Sequence, residues 1–269
     1  MKHTPKIVFV LLALFFVAQI VGLLVTSHYL KVTTLPMNIE RPQMEATTAF
    51  FPIFLLILFA TVLALLLFKF RLFRVWKIWF LFSVWFTLTI SFSVFFAEKI
   101  AMILAAVFAF LKSFRPTVLL HNFTELFIYG ALAAIFVPIL NLASVSILLT
   151  GISVYDYIAV RKTKHMIKLA KSQNKTKVFA GLAIPYEKKI AILGGGDIGF
   201  ALLFAGVVMK EFSFNWLSLG AMIVPLCTSG ALFYLFYKGK DKKFYPAMPY
   251  ITAGAFIGLG IVSLINILV

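Results

Sequence analysis

Nine apolar runs, most of them close to twenty residues long, follow one another along this 269-residue chain with only short polar breaks. The hydrocarbon layer of a bilayer is about 30 Å thick, and a helix rises about 1.5 Å per residue, so about twenty apolar residues span it. With 62% hydrophobic residues, the chain has too little polar side chain to cover a soluble globule. The fold class that follows is an all-α polytopic membrane protein with nine transmembrane helices, at 7–30, 50–68, 78–96, 100–111, 117–140, 142–160, 190–209, 216–237 and 246–269. The first run is longer than the apolar part of a cleaved signal peptide and no small-x-small site closes it, so it is read as a retained span. Asn141 after Pro138 turns the chain between the fifth and sixth runs. The whole of 1–269 reads as a single membrane domain. Spans one to six (7–160) precede a basic loop at 161–189, and spans seven to nine (190–269) follow it.

Orientation follows from lysine and arginine, which accumulate in cytoplasmic loops. With the N-terminus inside, 21 of the 25 basic residues fall on the inner side, nine of them in the 161–189 loop and Lys112 and Arg115 between spans four and five. Lys31, Arg41, Lys99 and Lys210 remain outside. The reading is N-in and C-out, in the plasma membrane of a prokaryote. The formal net charge of +16 is thus a topology signal, with anionic lipid heads as its secondary partner, and no nucleic acid is implied. The 161–189 loop is either a solvated linker throughout, or a basic surface helix followed by an extended segment at 178–184 that ends at Pro185.

Only three aspartates occur in the chain, and two of them, Asp156 and Asp197, lie inside apolar runs. A carboxylate at the centre of a membrane helix costs about 2.5–3.5 kcal/mol or more, and such groups are usually functional. By helix rise Asp156 lies about 7 Å inside Arg161, and Asp197 about 12 Å inside Lys189. Both therefore arrive in the cytoplasmic half at similar depth. Two carboxylates held together share a proton, so one can take a proton from water while the other donates to a carbonyl oxygen. That is a route to peptide hydrolysis with no metal and no cofactor. The alternative is a proton relay in a transporter or channel, although the chain shows no internal two-fold repeat.

Other residues read more modestly. Gly194, Gly195 and Gly196 give backbone access beside Asp197, whereas Gly199, Gly206, Gly254 and Gly258 read as helix packing. Pro246 and Pro249 disturb the start of the last span and leave backbone groups near the depth of the aspartates. His121 and Glu125 share one face of the fifth span, but with no third ligand they read as a hydrogen-bonded pair rather than a metal site. A lone cysteine, Cys227, permits no disulfide within the chain.

Tyr155-Asp156 in the sixth span, Gly194-Gly195-Gly196-Asp197 in the seventh, and Pro246-Ala247-Met248-Pro249 opening the ninth together resemble the YD, GxGD and PAL motifs of presenilins and signal peptide peptidases. Met248 stands where that family has leucine. The resemblance extends over order, span number and topology. Its N-in, C-out orientation looks like presenilin, signal peptide peptidases being inverted, and the short chain without long tails suggests a microbial, archaeal homologue. The resemblance implies an intramembrane aspartyl protease in which Asp156 and Asp197 are catalytic and residues 246–249 help hold substrate. It implies transmembrane segments of membrane proteins as partners and substrates. Such a segment must unwind to expose its backbone, and 178–184 is expected to pair with it as an added strand. A prepilin-type peptidase would have fewer spans and a lysine where this chain has Gly199. A scaffold that kept the fold without chemistry would have no need of both aspartates.

Overall fold

A computed structural model describes residues 4–162, 179–187, 189–239 and 245–268. Among the described residues there are nine α-helices: α1 (Pro5–Leu30), α2 (Phe50–Lys69), α3 (Phe73–Phe92), α4 (Glu98–Phe114), α5 (Val118–Phe136), α6 (Leu142–Arg161), α7 (Gly195–Glu211), α8 (Leu219–Lys238) and α9 (Met248–Leu268). Seven are long and apolar enough to cross a membrane, α4 and α7 falling short of that length at 17 residues each. The basic surface helix expected early in the 161–189 loop, and Asp241 with its neighbouring lysines, lie outside the described residues.

Local chemistry sets several helix starts. Asn141 follows a 3-10 turn at Val137–Ile139 and caps α6, its side-chain oxygen accepting from the Ser144 amide at 2.8 Å. Thr117 and Ser218 cap α5 and α8 in the same way. Each cap satisfies an amide that the helix leaves without a partner.

The layers follow from burial. In α7 every residue from Ala201 to Met209 is buried. A helix that is apolar on all sides belongs at the centre of a bundle, and α7 is surrounded by α1, α5, α6, α8 and α9. Gln19 of α1, fully buried, ties the two helices together by donating to the Ile198 carbonyl at 3.1 Å. By contrast α2 buries only Ile53 and Ala64, touches the core through half-buried Phe50, Phe54 and Ile57, and leaves most of its other side chains exposed. Gly254 and Gly258 let α9 settle on α8: an added Cβ would lie 2.7 Å from the Cys227 carbonyl oxygen and 2.9 Å from the Val224 Cα.

Two expectations are corrected here. The seventh apolar run does not begin as a helix. Lys189–Gly194 is a strand, β4, paired antiparallel with β3 (Gly181–Tyr186) in the register Gly181↔Gly194 to Tyr186↔Lys189. The helix-rise depth of Asp197 therefore does not hold, because a strand rises about 3.3 Å per residue, more than twice the helical value. Pro185 does not end the extended segment either. It sits within β3 opposite Ile190, at a position whose backbone faces away from the partner strand, where a missing N–H removes no ladder bond. Val178 lies outside the described residues. The second hairpin, β1 (Thr34–Leu35) with β2 (Ile39–Glu40), follows α1.

Candidate active site

Asp156 lies five residues before the end of α6, half-buried, and meets the start of α9. The α9 N-terminus explains the arrangement. In Pro246-Ala247-Met248-Pro249 the prolines have no N–H, so only Ala247 and Met248 can donate. Both amides bond the Asp156 carboxylate, that of Met248 at 3.2 Å to Oδ2. The Ala247 carbonyl accepts from Tyr250 and Ile251, both at 3.1 Å, which makes Ala247 the helix cap and puts Met248 in the first turn. A helix N-terminus is a natural seat for a carboxylate. Proline is well tolerated at the first helical position, so Met248→Pro should leave α9 intact while deleting one charge-assisted bond. Such bonds are worth about 1.5–3 kcal/mol, and we expect any turnover that depends on Asp156 to fall roughly ten- to a hundredfold with the circular dichroism of the fold unchanged. Turnover within twofold of wild type would detach this amide from the function of Asp156.

Asp197 occupies the first turn of α7, where β4 becomes helix at Gly194. The Gly194 backbone bonds its carboxylate, and Asp156 lies within its electrostatic reach. The triplet of glycines divides by role. A Cβ on Gly195 would lie 2.8 Å from the Tyr129 hydroxyl oxygen, so close packing requires that glycine. Around Gly194 an added Cβ would meet Asp197 itself, at 3.2 Å from Oδ2, and Gly196 is exposed. Of the three glycines expected to give backbone access, Gly196 alone is exposed, while Gly195 is needed for packing against Tyr129.

The hairpin is held from its other side by α5. Asn122 makes a two-way amide bond with Ala183, its Nδ2 donating to the carbonyl at 2.9 Å and its Oδ1 accepting from the amide at 3.0 Å. Glu125 Oε2 accepts from the Gly181 amide at 2.9 Å, and His121 Nε2 donates to the Gly181 carbonyl at 2.7 Å. A carbonyl can only accept, so Nε2 carries the imidazole proton and Nδ1 is free to accept from Lys112 Nζ at 3.2 Å. Lys112 is itself fully buried. It pairs with Glu125 Oε1 at 2.7 Å and donates to Thr124 Oγ1 at 2.8 Å. The Tyr129 hydroxyl completes the set by donating to Glu125. Gly181 has φ +138°, and a Cβ there would lie 2.3 Å from the Leu193 carbonyl oxygen, so no other residue fits at the head of β3.

The sequence residues are therefore brought together in part. Asp156, Asp197, Gly194, Gly195, Gly196, Ala247 and Met248 converge, with buried Pro246 and half-buried Pro249 flanking the α9 start. Tyr155 is half-buried on α6 beside Asp156. Of residues 246–249, Ala247 and Met248 contact the Asp156 carboxylate through backbone amides, a contact not foreseen in the expectation that the stretch holds substrate. His121 and Glu125 are not bonded to each other but meet through Lys112 and Gly181. Lys112, expected in a cytoplasmic loop, is buried in α4 because Glu125 compensates its charge. Asn122 and Tyr129 carry no signal in the sequence beyond their polarity within an apolar run. Among the described residues no cluster of three metal-ligating side chains occurs.

Residues 12–198 match a family model described as "Signal-peptide peptidase, presenilin aspartyl protease". Two solved structures of a presenilin family intramembrane aspartate protease share the fold. The one in space group C222 has a TM-score of 0.69 at 20% identity, covering 96% of this chain and 99% of that one. The one in space group P2 has a TM-score of 0.67 at 18% identity, covering 98% and 100%. No curated protein sequence matches the chain.

Proposed function

This chain belongs to the signal-peptide peptidase and presenilin family of aspartyl proteases, and we propose that it hydrolyses peptide bonds inside membrane-spanning segments with Asp156 and Asp197 as its catalytic pair. The observation that supports this reading is that the helices carrying Asp156 and Asp197 pack together, with each carboxylate within electrostatic reach of the other. Each carboxylate is held by a backbone amide, and Asp197 sits in the first helical turn directly after a strand.

In this mechanism one carboxylate is ionised and the other protonated. The ionised oxygen removes a proton from water as that water attacks the scissile carbonyl carbon, and the protonated oxygen donates to the carbonyl oxygen. The tetrahedral diol then expels the amine as it receives a proton, which regenerates the shared-proton state. No covalent intermediate forms. Tyr155 lines the site next to Asp156, and Gly194 and Gly196 leave backbone exposed to the substrate.

The substrate must present extended backbone, and β4 offers the edge for it. Backbone groups of Gly181 and Ala183 on the outer edge of β3 are already bonded to α5. In an antiparallel pair the outward groups alternate, so Ile190, Ile192 and Gly194 face the other way. Ile190 and Ile192 are exposed, and among the described residues nothing pairs with that edge. Strand addition is thus reassigned from 178–184 to β4, which runs directly into Asp197. All nine helices are spans in this reading, with the N-terminus cytoplasmic and the C-terminus external, an orientation supported by the bias of lysine and arginine toward one side of the chain's loops.

The test is cleavage of a single-span reporter, N-terminus outside, by detergent-purified protein reconstituted in liposomes, with and without a proton gradient. Expected is product from the wild type in both conditions and none from Asp197→Ala. Product from both proteins would remove Asp197 from catalysis. A proton flux without any product would instead identify the aspartates as a relay.

A further inference from the structure

The α5 cluster is the largest polar assembly among the described residues that the hydrolytic steps leave unused. His121, Asn122 and Glu125 are neighbours on one side of α5, and together they make four hydrogen bonds to β3, at Gly181 N–H and C=O and at Ala183 N–H and C=O. An extended chain lying beside β3 would make bonds of the same kind, to both backbone groups of every second residue. The next residue in that alternation, Pro185, has no N–H to give. Both outward N–H groups of β3 are therefore taken.

We infer that α5 acts as a surrogate strand: His121, Asn122 and Glu125 close the outer edge of β3, so that substrate adds only to β4 and presents its scissile bond to Asp197 in one register. The inference rests on the hydrolytic reading above. These three are positioning residues, since they act through the hairpin. The connection to Asp197 is short. The ladder continues beyond the strands through the Gly195 amide, which donates to the Ala180 carbonyl at 3.1 Å, two residues before the carboxylate. Lys112 stiffens the device from behind, gripping Glu125, His121 and Thr124 from α4 at once. With the clamp released, Ala183 becomes a second docking edge, and a two-residue slip of an added strand displaces its backbone by about 6.6 Å while keeping its faces. Cleavage then spreads to peptide bonds two residues away.

The experiment reads cleavage positions by mass spectrometry on the same single-span reporter in liposomes, for wild type, Asn122→Ala, His121→Ala and Asp197→Ala. His121→Ala removes only the Gly181 carbonyl contact on β3 and is the milder change. Expected is one dominant site for the wild type, and a rise of roughly tenfold in the ratio of minor to major products for Asn122→Ala, with a smaller rise for His121→Ala. A loss of folded enzyme would lower all products together without changing that ratio. An unchanged ratio in the variants that cleave overturns the inference and leaves α5 as a support only. Should Asn122→Ala give no product, His121→Ala decides by the same ratio. Product from Asp197→Ala would instead overturn the hydrolytic reading, a separate failure visible in the same assay.

Discussion

Replacing either Asp156 or Asp197 by asparagine is expected to lower turnover of a single-span reporter by roughly 10²–10⁴-fold, the usual worth of general acid–base catalysis, and replacing both to lower it no further. Asparagine keeps the shape and the acceptor oxygen, so the Met248 amide retains its partner at position 156 and Gly194 at 197. What is lost is the proton shared between the two sites. Because neither carboxylate can do the work of the pair, removal of one already forfeits the whole contribution, and groups that act as a unit are strongly non-additive. The measurement is initial rate for the two single variants and the double variant at equal amounts of folded protein. Two single losses that multiply in the double variant would mean independent roles, and the dyad would fall.

The largest effect on stability is expected at Lys112. Lys112→Met leaves Glu125 buried with no cation, and breaking a buried pair from one side costs about 3–5 kcal/mol. The midpoint of thermal unfolding in detergent should fall by roughly 6–20 °C, at about 2–4 °C per kcal/mol for a chain of this size. Adding Glu125→Gln should restore most of the loss. A neutral amide is far less costly to bury than a charge, and its carbonyl oxygen can still accept from the Gly181 amide. If the double variant is no more stable than Lys112→Met, the carboxylate is not the unsatisfied group and the ion pair is not what holds α4 to α5.

How far the sequence reaches depends on whether a signal is local. Asp156 and Asp197 stand out because a carboxylate within hydrocarbon is expensive wherever it lies, and that argument needs no coordinates. The strand β4 was hidden. Lys189–Gly194 reads KIAILG, and a short apolar run ahead of a longer one has the same appearance as the first turns of a helix. Lys112 misleads for a different reason. Basic residues between apolar runs belong to loops on average, and only Glu125, placed opposite by the packing of α4 on α5, overrides the average. The prolines at 246 and 249 announce an irregular helix start, but not that the two amides between them bond a carboxylate 92 residues away.

The open edge of β4 has a further consequence. Non-helical backbone at membrane depth persists only where protein buries it or water reaches it. With β3 sealed by α5, the outward amides and carbonyls of Ile190 and Ile192 need solvent whenever no substrate is docked. In the proposed mechanism the enzyme therefore keeps a hydrated inlet beside Asp197, and a docking strand would expel that solvent from everywhere but the reaction centre. The wet edge that keeps an unpaired strand tolerable inside a bilayer is also the supply line for the second reactant of hydrolysis.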